Sequence, residues 1–276
     1  MKILLTGGNG NIANIIKIYF KNDYEITALS RDDLNILNLI DIKKYLDNNY
    51  FDILIHTAIE GGRRTIPDNY NSFYNNMIMF ENLMKFNNKF KMIINLDSGA
   101  IYNRETNILN RKEYELFTIP TDFYGFSKYC IYQRTLLYSN IFNFRIFNIF
   151  HLNEENDRFI KLCFLSKNSN DKIIIQEDKY FDFFYEKDFI KIIKYYFDSI
   201  NDFSKLEKTI NISYKEKYKL SEIAEIIIKD KQKIVITSKC INNYTGNSDC
   251  LYKYNIEFLE MENSLYDYEQ NLLKPI

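Results

Sequence analysis

The chain has 276 residues, 46% hydrophobic and 16% aromatic, which supplies one large core or two closely packed ones and excludes wholesale disorder. Its 36 basic and 37 acidic residues leave a formal charge of −1, with no polybasic stripe of the kind that binds nucleic acid. No apolar run approaches the roughly 20 residues of a membrane span, and the chain opens on KILL with no basic leader, so a soluble, cytoplasmic protein without membrane or nucleic-acid partners is expected.

Ile3 to Leu5 reads as a buried strand, followed by TGGNGNIA (Thr6 to Ala13), which holds three of the chain's eight glycines at Gly7, Gly8 and Gly10. Ile12, Ile15, Ile16, Tyr19 and Phe20 then recur at helical spacing. A strand, a tight glycine turn and a helix in that order bring backbone close to a pyrophosphate at the positive end of the helix. A purely structural turn is the other reading. Tyr24 to Leu29 is a second strand that ends at Ser30 and Arg31. An acidic residue at that tip would accept the ribose hydroxyls of NAD; Arg31 pairs instead with a 2′-phosphate, or stands as a solvated loop arginine, with Asp32 and Asp33 directly behind it. NADP is the expected cofactor, with NAD the alternative.

Ile36 to Tyr45 is helical in pattern, and Phe51 to His56 is a third strand running into Thr57 and Ala58, where the cofactor is expected to lie. His56 itself reads as structural. Arg63 and Arg64 after IEGG either clamp a substrate diphosphate or form a solvated pair. Tyr70 to Phe86 has a long helical period, and Lys91 to Leu96 is a fourth strand. Strands alternating with helices imply a parallel, doubly wound Rossmann-like α/β sheet.

The fourth strand runs into Asp97-Ser98-Gly99-Ala100-Ile101-Tyr102, placing a hydroxyl at a strand's carboxyl end, where ligands bind such sheets. Arg104 follows, able to reach a sugar or its phosphates or to remain in solvent. Next comes Tyr124-Gly125-Phe126-Ser127-Lys128, opening a helix that extends to Leu137. Tyrosine and lysine four apart share a helix face. A phenol of free pKa about 10 is a poor acid–base at neutral pH, and an ammonium beside it favours phenolate. Among 23 tyrosines a lone YxxxK means little; behind a glycine turn and a strand-end serine it points to catalysis.

With these motifs the chain resembles the extended short-chain dehydrogenase/reductase (NAD-dependent epimerase/dehydratase) family, in its nucleotide-sugar branch. FRIFNIF (Phe144 to Phe150) resembles its R-x-x-N strand. FDFFYEKDF (Phe181 to Phe189) resembles its RDF segment, with Phe181 where arginine is common, and NISYKEKYKLSEIAEII (Asn211 to Ile227) its substrate-lobe strand and helix. The resemblance implies that Gly7, Asn9, Gly10, Asn11, Ile12, Arg31, Thr57, Ala58 and Lys128 hold the dinucleotide. It further implies that Ser98, Tyr124 and Lys128 are catalytic, and that Ser98, Arg104, Tyr124 and Asn148 meet a nucleotide-sugar substrate. A buried, satisfied amide is the alternative for Asn148, and a loop histidine for His151.

In the family's 4,6-dehydratases two acids follow the strand-end hydroxyl; Gly99 and Ala100 stand there, which argues against dehydration. RDDLNILN (Arg31 to Asn38) resembles the run after strand two in the GDP-fucose synthase branch, where arginine favours NADP. No cysteine–histidine epimerising pair is evident. The implied activity is an NADP-dependent reduction of a nucleotide-linked keto-sugar, most naturally at C4, in surface polysaccharide synthesis, with a 4-epimerase holding NAD as the alternative.

Cys130, Cys163, Cys240 and Cys250 share no metal-binding spacing, so reduced thiols and no metal are expected. Residues 1–150, with part of 179–200 returning, are expected to form the cofactor domain, and 151–276 mainly a substrate lobe. A homodimer is expected through two helices, one carrying Phe73, Met77, Phe80, Leu83 and Met84, the other Tyr129, Tyr132, Gln133 and Leu136.

Overall fold

The computed structural model describes residues 1–62, 66–238 and 242–272. In chain order the first half contains β1 (Lys2–Thr6), α1 (Asn11–Phe20), β2 (Glu25–Leu29), α2 (Leu39–Asn48), β3 (Ile53–His56), α3 (Tyr70–Met84), β4 (Met92–Ser98), β5 (Ile108–Arg111), α4 (Phe123–Thr135) and β6 (Ile141–Ile146). The second half contains β7 (Ile149–Phe150), α5 (Phe159–Lys167), β8 (Ile173–Ile175), β9 (Phe184–Tyr185), α6 (Glu186–Asp198), β10 (Thr209–Ile212), α7 (Leu220–Ile228), β11 (Ile234–Ile236), β12 (Tyr244–Gly246), α8 (Asp249–Tyr252) and α9 (Glu260–Leu272). No described helix is long and apolar enough to cross a membrane.

The chain divides into two compact units. The first comprises 1–103, 116–145 and 194–210, and is built on the six-stranded sheet of order β10-β6-β4-β3-β1-β2. Its pairings β1·β2, β1·β3 and β3·β4 are parallel, which confirms the Rossmann-like α/β reading. The central strands are apolar in unbroken runs, with Ile3, Leu4, Leu5, Ile53, Leu54, Ile55, Ile93 and Ile94 fully buried, as required of strands covered on both faces. One face carries α2, α3 and α4: Ile42, Leu46, Phe80, Leu83 and Ile131 pack there with Leu4, Leu54 and Ile93. On α1, Ala13, Ile15, Ile16 and Phe20 are buried, and the Phe20 ring lies 5.3 Å from that of Phe197 in α6. Tyr196, one residue earlier in α6, sits edge-on to Phe142 and Phe144 of β6.

The second unit comprises 104–115, 146–193 and 211–276. It holds three short parallel ladders, β5·β12, β7·β9 and β8·β11. Aromatic packing carries much of its core. Phe184 stacks on Tyr214 at 4.3 Å, and the Tyr214 hydroxyl donates to Asp188 Oδ2 at 2.8 Å. Tyr185 stacks on Phe150, which also meets Tyr268. Phe181 lies between Phe183 and Tyr244, and its neighbour Asp182 takes the Lys217 ammonium at 3.0 Å and the Gly246 N–H at 2.7 Å.

Candidate active site

The glycine turn after β1 is compressed from both sides. Gly7 has φ +67, and a Cβ there would lie 2.8 Å from the Ala58 Cα. A Cβ on Gly8 would lie 2.7 Å from the Ala28 carbonyl carbon. Only glycine lets the turn follow this path. The Gly8 N–H donates to Leu29 O at 2.8 Å, and Lys17 Nζ donates to Gly8 O at 2.9 Å, so the turn is fixed from β2 and from α1. Gly10 starts α1 with no side-chain cap and no acidic residue in the first turn, leaving the positive end of the helix dipole for an external anion. Asn9 and Asn11 are exposed beside it and Ile12 is half-buried.

Next to the turn is a cavity of about 180 Å³ whose walls include Thr6, Gly7, Ser30, Arg31, Ala58 and Glu60. Arg31 therefore stands at this cavity, and its guanidinium is ion-paired with Glu60. Of the two acids behind Arg31, Asp33 is turned back to accept from the Ser30 N–H at 2.9 Å and its hydroxyl at 2.7 Å. Those bonds hold its carboxyl below the ordinary range. Thr57 Oγ1 donates to Thr6 O at 2.6 Å, and the Ala58 N–H donates to Thr6 Oγ1 at 3.3 Å, tying the ends of β3 and β1 together. His56 Nδ1 shares a 2.9 Å hydrogen bond with Thr6 Oγ1. Burial, and secondarily the charge of Lys128, push His56 down to about 3, so it is a neutral, buried partner of Thr6.

Ser98 closes β4, and its Oγ accepts from the Ala100 N–H at 3.2 Å, starting the short turn Gly99–Tyr102. Helix α4 is capped by Asp122, which accepts from the Gly125 N–H at 2.8 Å. A Cβ on Gly125 would come within 2.9 Å of Ala100 O, so glycine allows α4 to sit directly on that turn. Lys128 is buried and donates to Leu96 O at 2.6 Å, with its Nζ 5.8 Å from the centre of the Tyr124 ring. Burial pushes Lys128 down to about 8, against the opposing pull of Asp97. Tyr124 is half-buried, and a Cβ on Gly62 (φ +73) would strike its ring at 2.8 Å. The Gly62 N–H is in turn held by Asp68 Oδ1 at 2.7 Å.

Two supporting networks escape sequence reasoning. Asn76 of α3 is buried and donates to Ser127 Oγ at 3.1 Å, while Ser127 donates to Tyr124 O at 2.7 Å. The second is Arg145 with Asp97 and Tyr102: Nε to Oδ2 and Nη1 to the phenol oxygen, both at 2.7 Å. A visible signal existed for that pair, since an arginine inside the apolar run of β6 must find a counter-ion.

Arg104, exposed, and Asn148, half-buried, belong to the second unit. Asn148 O accepts from the Phe184 N–H at 2.8 Å. Arg63, Arg64 and Cys240 lie outside the described residues. Cys130 and Cys163 are free thiols, and among the described residues no three His, Cys, Asp or Glu side chains cluster as a metal site.

Residues 3–213 match the pattern described as the NAD dependent epimerase/dehydratase family. The chain is 26% identical over 259 residues to the GDP-L-colitose synthase of Yersinia pseudotuberculosis, spanning 83% of this chain and 82% of that one. Its fold resembles a dTDP-4-dehydrorhamnose reductase from Clostridium acetobutylicum (TM-score 0.80, 17% identity, 99% of this chain and 100% of the other). It also resembles the UDP-N-acetylglucosamine 4-epimerase from Bacillus cereus (TM-score 0.79, 21% identity, 99% of each chain).

Proposed function

The chain belongs to the NAD dependent epimerase/dehydratase family and is an NAD(P)-dependent enzyme of the extended short-chain dehydrogenase/reductase type, and on that premise we propose that it reduces the C4 keto group of a nucleotide-linked sugar with NADPH. The observation that carries the reading is the surroundings of Ser98. Tyr124 and Lys128 stand on α4, whose Gly125 packs on the turn that Ser98 begins, while Gly99 and Ala100, both buried, occupy the two places behind Ser98 where an elimination would need carboxylic acids. The kinship to a GDP-L-colitose synthase supports a nucleotide-sugar substrate and, with it, a place in surface polysaccharide synthesis.

The dinucleotide fits the first unit by the pressed glycine turn, the uncapped start of α1 and the cavity beside them. When bound, it supplies hydride to the carbonyl carbon. Gly7, Asn9, Gly10, Asn11 and Ile12 would hold its pyrophosphate, with Thr57 and Ala58 alongside and Arg31 at the 2′-phosphate. Tyr124 gives the proton to the carbonyl oxygen, Ser98 orients that oxygen by hydrogen bonding, and the Lys128 ammonium stabilises the tyrosinate left behind, which regains a proton from solvent before the next turnover. Arg104 and Asn148 are assigned to the substrate.

Helices α3 and α4 are the proposed homodimer surface, with only part of the residues that the periodicity picks out. Phe80, Leu83, Met84 and Tyr132 are buried in their own unit, whereas Tyr70, Tyr74, Phe123, Phe126 and Leu136 are exposed. Light scattering at micromolar concentration is expected to give twice 33.2 kDa; a clean monomer refutes the dimer.

The activity is tested with purified protein, NADPH and a panel of nucleotide-linked 4-keto sugars. Oxidation of NADPH, lost at least about 10²-fold in Tyr124→Phe with coenzyme binding kept, is the expected result. Stoichiometric NAD retained through purification, with epimerisation and no net NADPH oxidation, would replace the reductase with a 4-epimerase.

A further inference from the structure

The Arg31 guanidinium is not waiting in solvent for a phosphate. It is paired to Glu60, which follows β3 by four residues, on the wall of the same cavity. The two partners are held very differently. Glu60 Oε2 accepts from Asn75 Nδ2 at 2.7 Å. The backbone of Glu60 is gripped at both ends by buried Asn76: its N–H donates to Oδ1 at 2.8 Å and its carbonyl accepts from Nδ2 at 2.9 Å. The carboxylate is thus pinned to α3. The Arg31 side chain is 66% exposed against 25% for Glu60, and sits at the tip of the edge strand β2. Arginine is the partner that can swing; glutamate stays.

We propose that Glu60 sets the coenzyme preference by competing with the 2′-phosphate for Arg31, the carboxylate holding the guanidinium until a phosphate displaces it. This rests on the NADPH reading given above and adds the residue that opposes it. A 2′-phosphate must draw Arg31 away from a fixed anion and then stand near that anion, whereas a 2′-hydroxyl leaves the pair intact. Glu60 therefore weakens NADPH binding selectively and keeps NADH within reach of the enzyme. Exposed ion pairs of this kind are worth about 0.2–1 kcal/mol, up to roughly fivefold in affinity.

The test is calorimetric titration of NADPH and NADH into wild type, Glu60→Gln, Arg31→Ala and the double variant, with thermal midpoints confirming that each is folded. Glu60→Gln keeps an acceptor for Asn75 and removes only the charge. It is expected to tighten NADPH about three- to fivefold and leave NADH within about twofold. In the Arg31→Ala background that gain is expected to shrink below twofold. Equal gains for both coenzymes, or a gain undiminished without Arg31, overturn the competition. If Arg31→Ala alone lowers the NADPH-to-NADH preference while Glu60→Gln changes nothing, the competition falls and the NADPH reading stands. If Arg31→Ala leaves the preference unchanged, both fall.

Discussion

Arg145 Nε reaches Asp97 Oδ2 at 2.7 Å with both side chains sealed from water, 0% and 1% exposed. The guanidinium carbon also lies 4.8 Å from the Tyr102 ring centre and 4.9 Å from that of Tyr132. The pair thereby links β4, α4 and β6 behind the serine that closes β4. Removing one member of a buried pair strands the other's charge and costs about 3–5 kcal/mol, whereas replacing both by apolar groups is often near neutral. Arg145→Met is therefore expected to lose about that much in denaturant unfolding, and Asp97→Leu/Arg145→Met to recover most of it. A single variant as stable as wild type would contradict the account.

Gly62 has a positive φ, and a Cβ placed on it would meet the Tyr124 ring at 2.8 Å. Alanine there meets the ring and adopts a backbone conformation that L-residues disfavour. We expect Gly62→Ala to lower kcat by about tenfold or more by displacing the phenol, with the NADPH Kd little changed. Unaltered kcat would show that the glycine does not position Tyr124.

Lys128 loses its proton at about 8 rather than at 10.5 because it is buried. In the proposed mechanism the charged form assists Tyr124, so kcat/KM is expected to fall as pH rises through about 8, reporting the free enzyme. Neither His56, at about 3, nor His151, pushed down to about 4 by burial, adds a limb between pH 5 and 7. Asp97→Asn removes the carboxylate that opposes the shift and should move the alkaline limb lower. The stability sign is opposite: the unfolded chain holds this proton up to 10.5, so between about 8 and 10.5 Lys128 makes folding more favourable as pH rises.

In the second unit, Glu154 is buried and raised to about 8, chiefly by desolvation, despite the charges of Arg158 and Lys161. Its Oε1 has no hydrogen-bond partner. The native state binds this proton more tightly than the unfolded chain, so stability declines as pH rises from about 4.5 towards 8. Glu154→Gln is expected to raise Tm at pH 8 by at least about 2 °C and to do little at pH 4.5. A uniform shift across pH would mean the carboxylate's ionisation is not the cause.

The sheet was legible because its central strands are continuous apolar runs between helix-period segments, and the glycine turn because few other uses explain three glycines in four positions. Ser98, Tyr124 and Lys128 were proposed from motifs, since a strand end and an i, i+4 pair are local. What escaped was held by long-range pairing: Arg31 with Glu60 across 29 positions, Asn76 with Ser127 across 51, Arg145 with Asp97 across 48. Helix periodicity also fails to say which apolar side is the core. Thus Phe80 and Leu83 turned inward while Tyr70 and Tyr74 were left outside.

The first unit recruits residues 194–210 from late in the chain, and β10 is the strand flanking β6 at one edge of its sheet. During synthesis, then, the edge of β6 has no in-chain neighbour until more than 200 residues have emerged, and the faces of Phe142 and Phe144 wait almost as long for Tyr196. A gene fragment cut at residue 150 would encode every glycine of this unit together with Ser98, Tyr124 and Lys128 and still produce a chain with an open, apolar strand edge, prone to self-association. Expression of the first unit alone requires the 194–210 segment to be spliced back on.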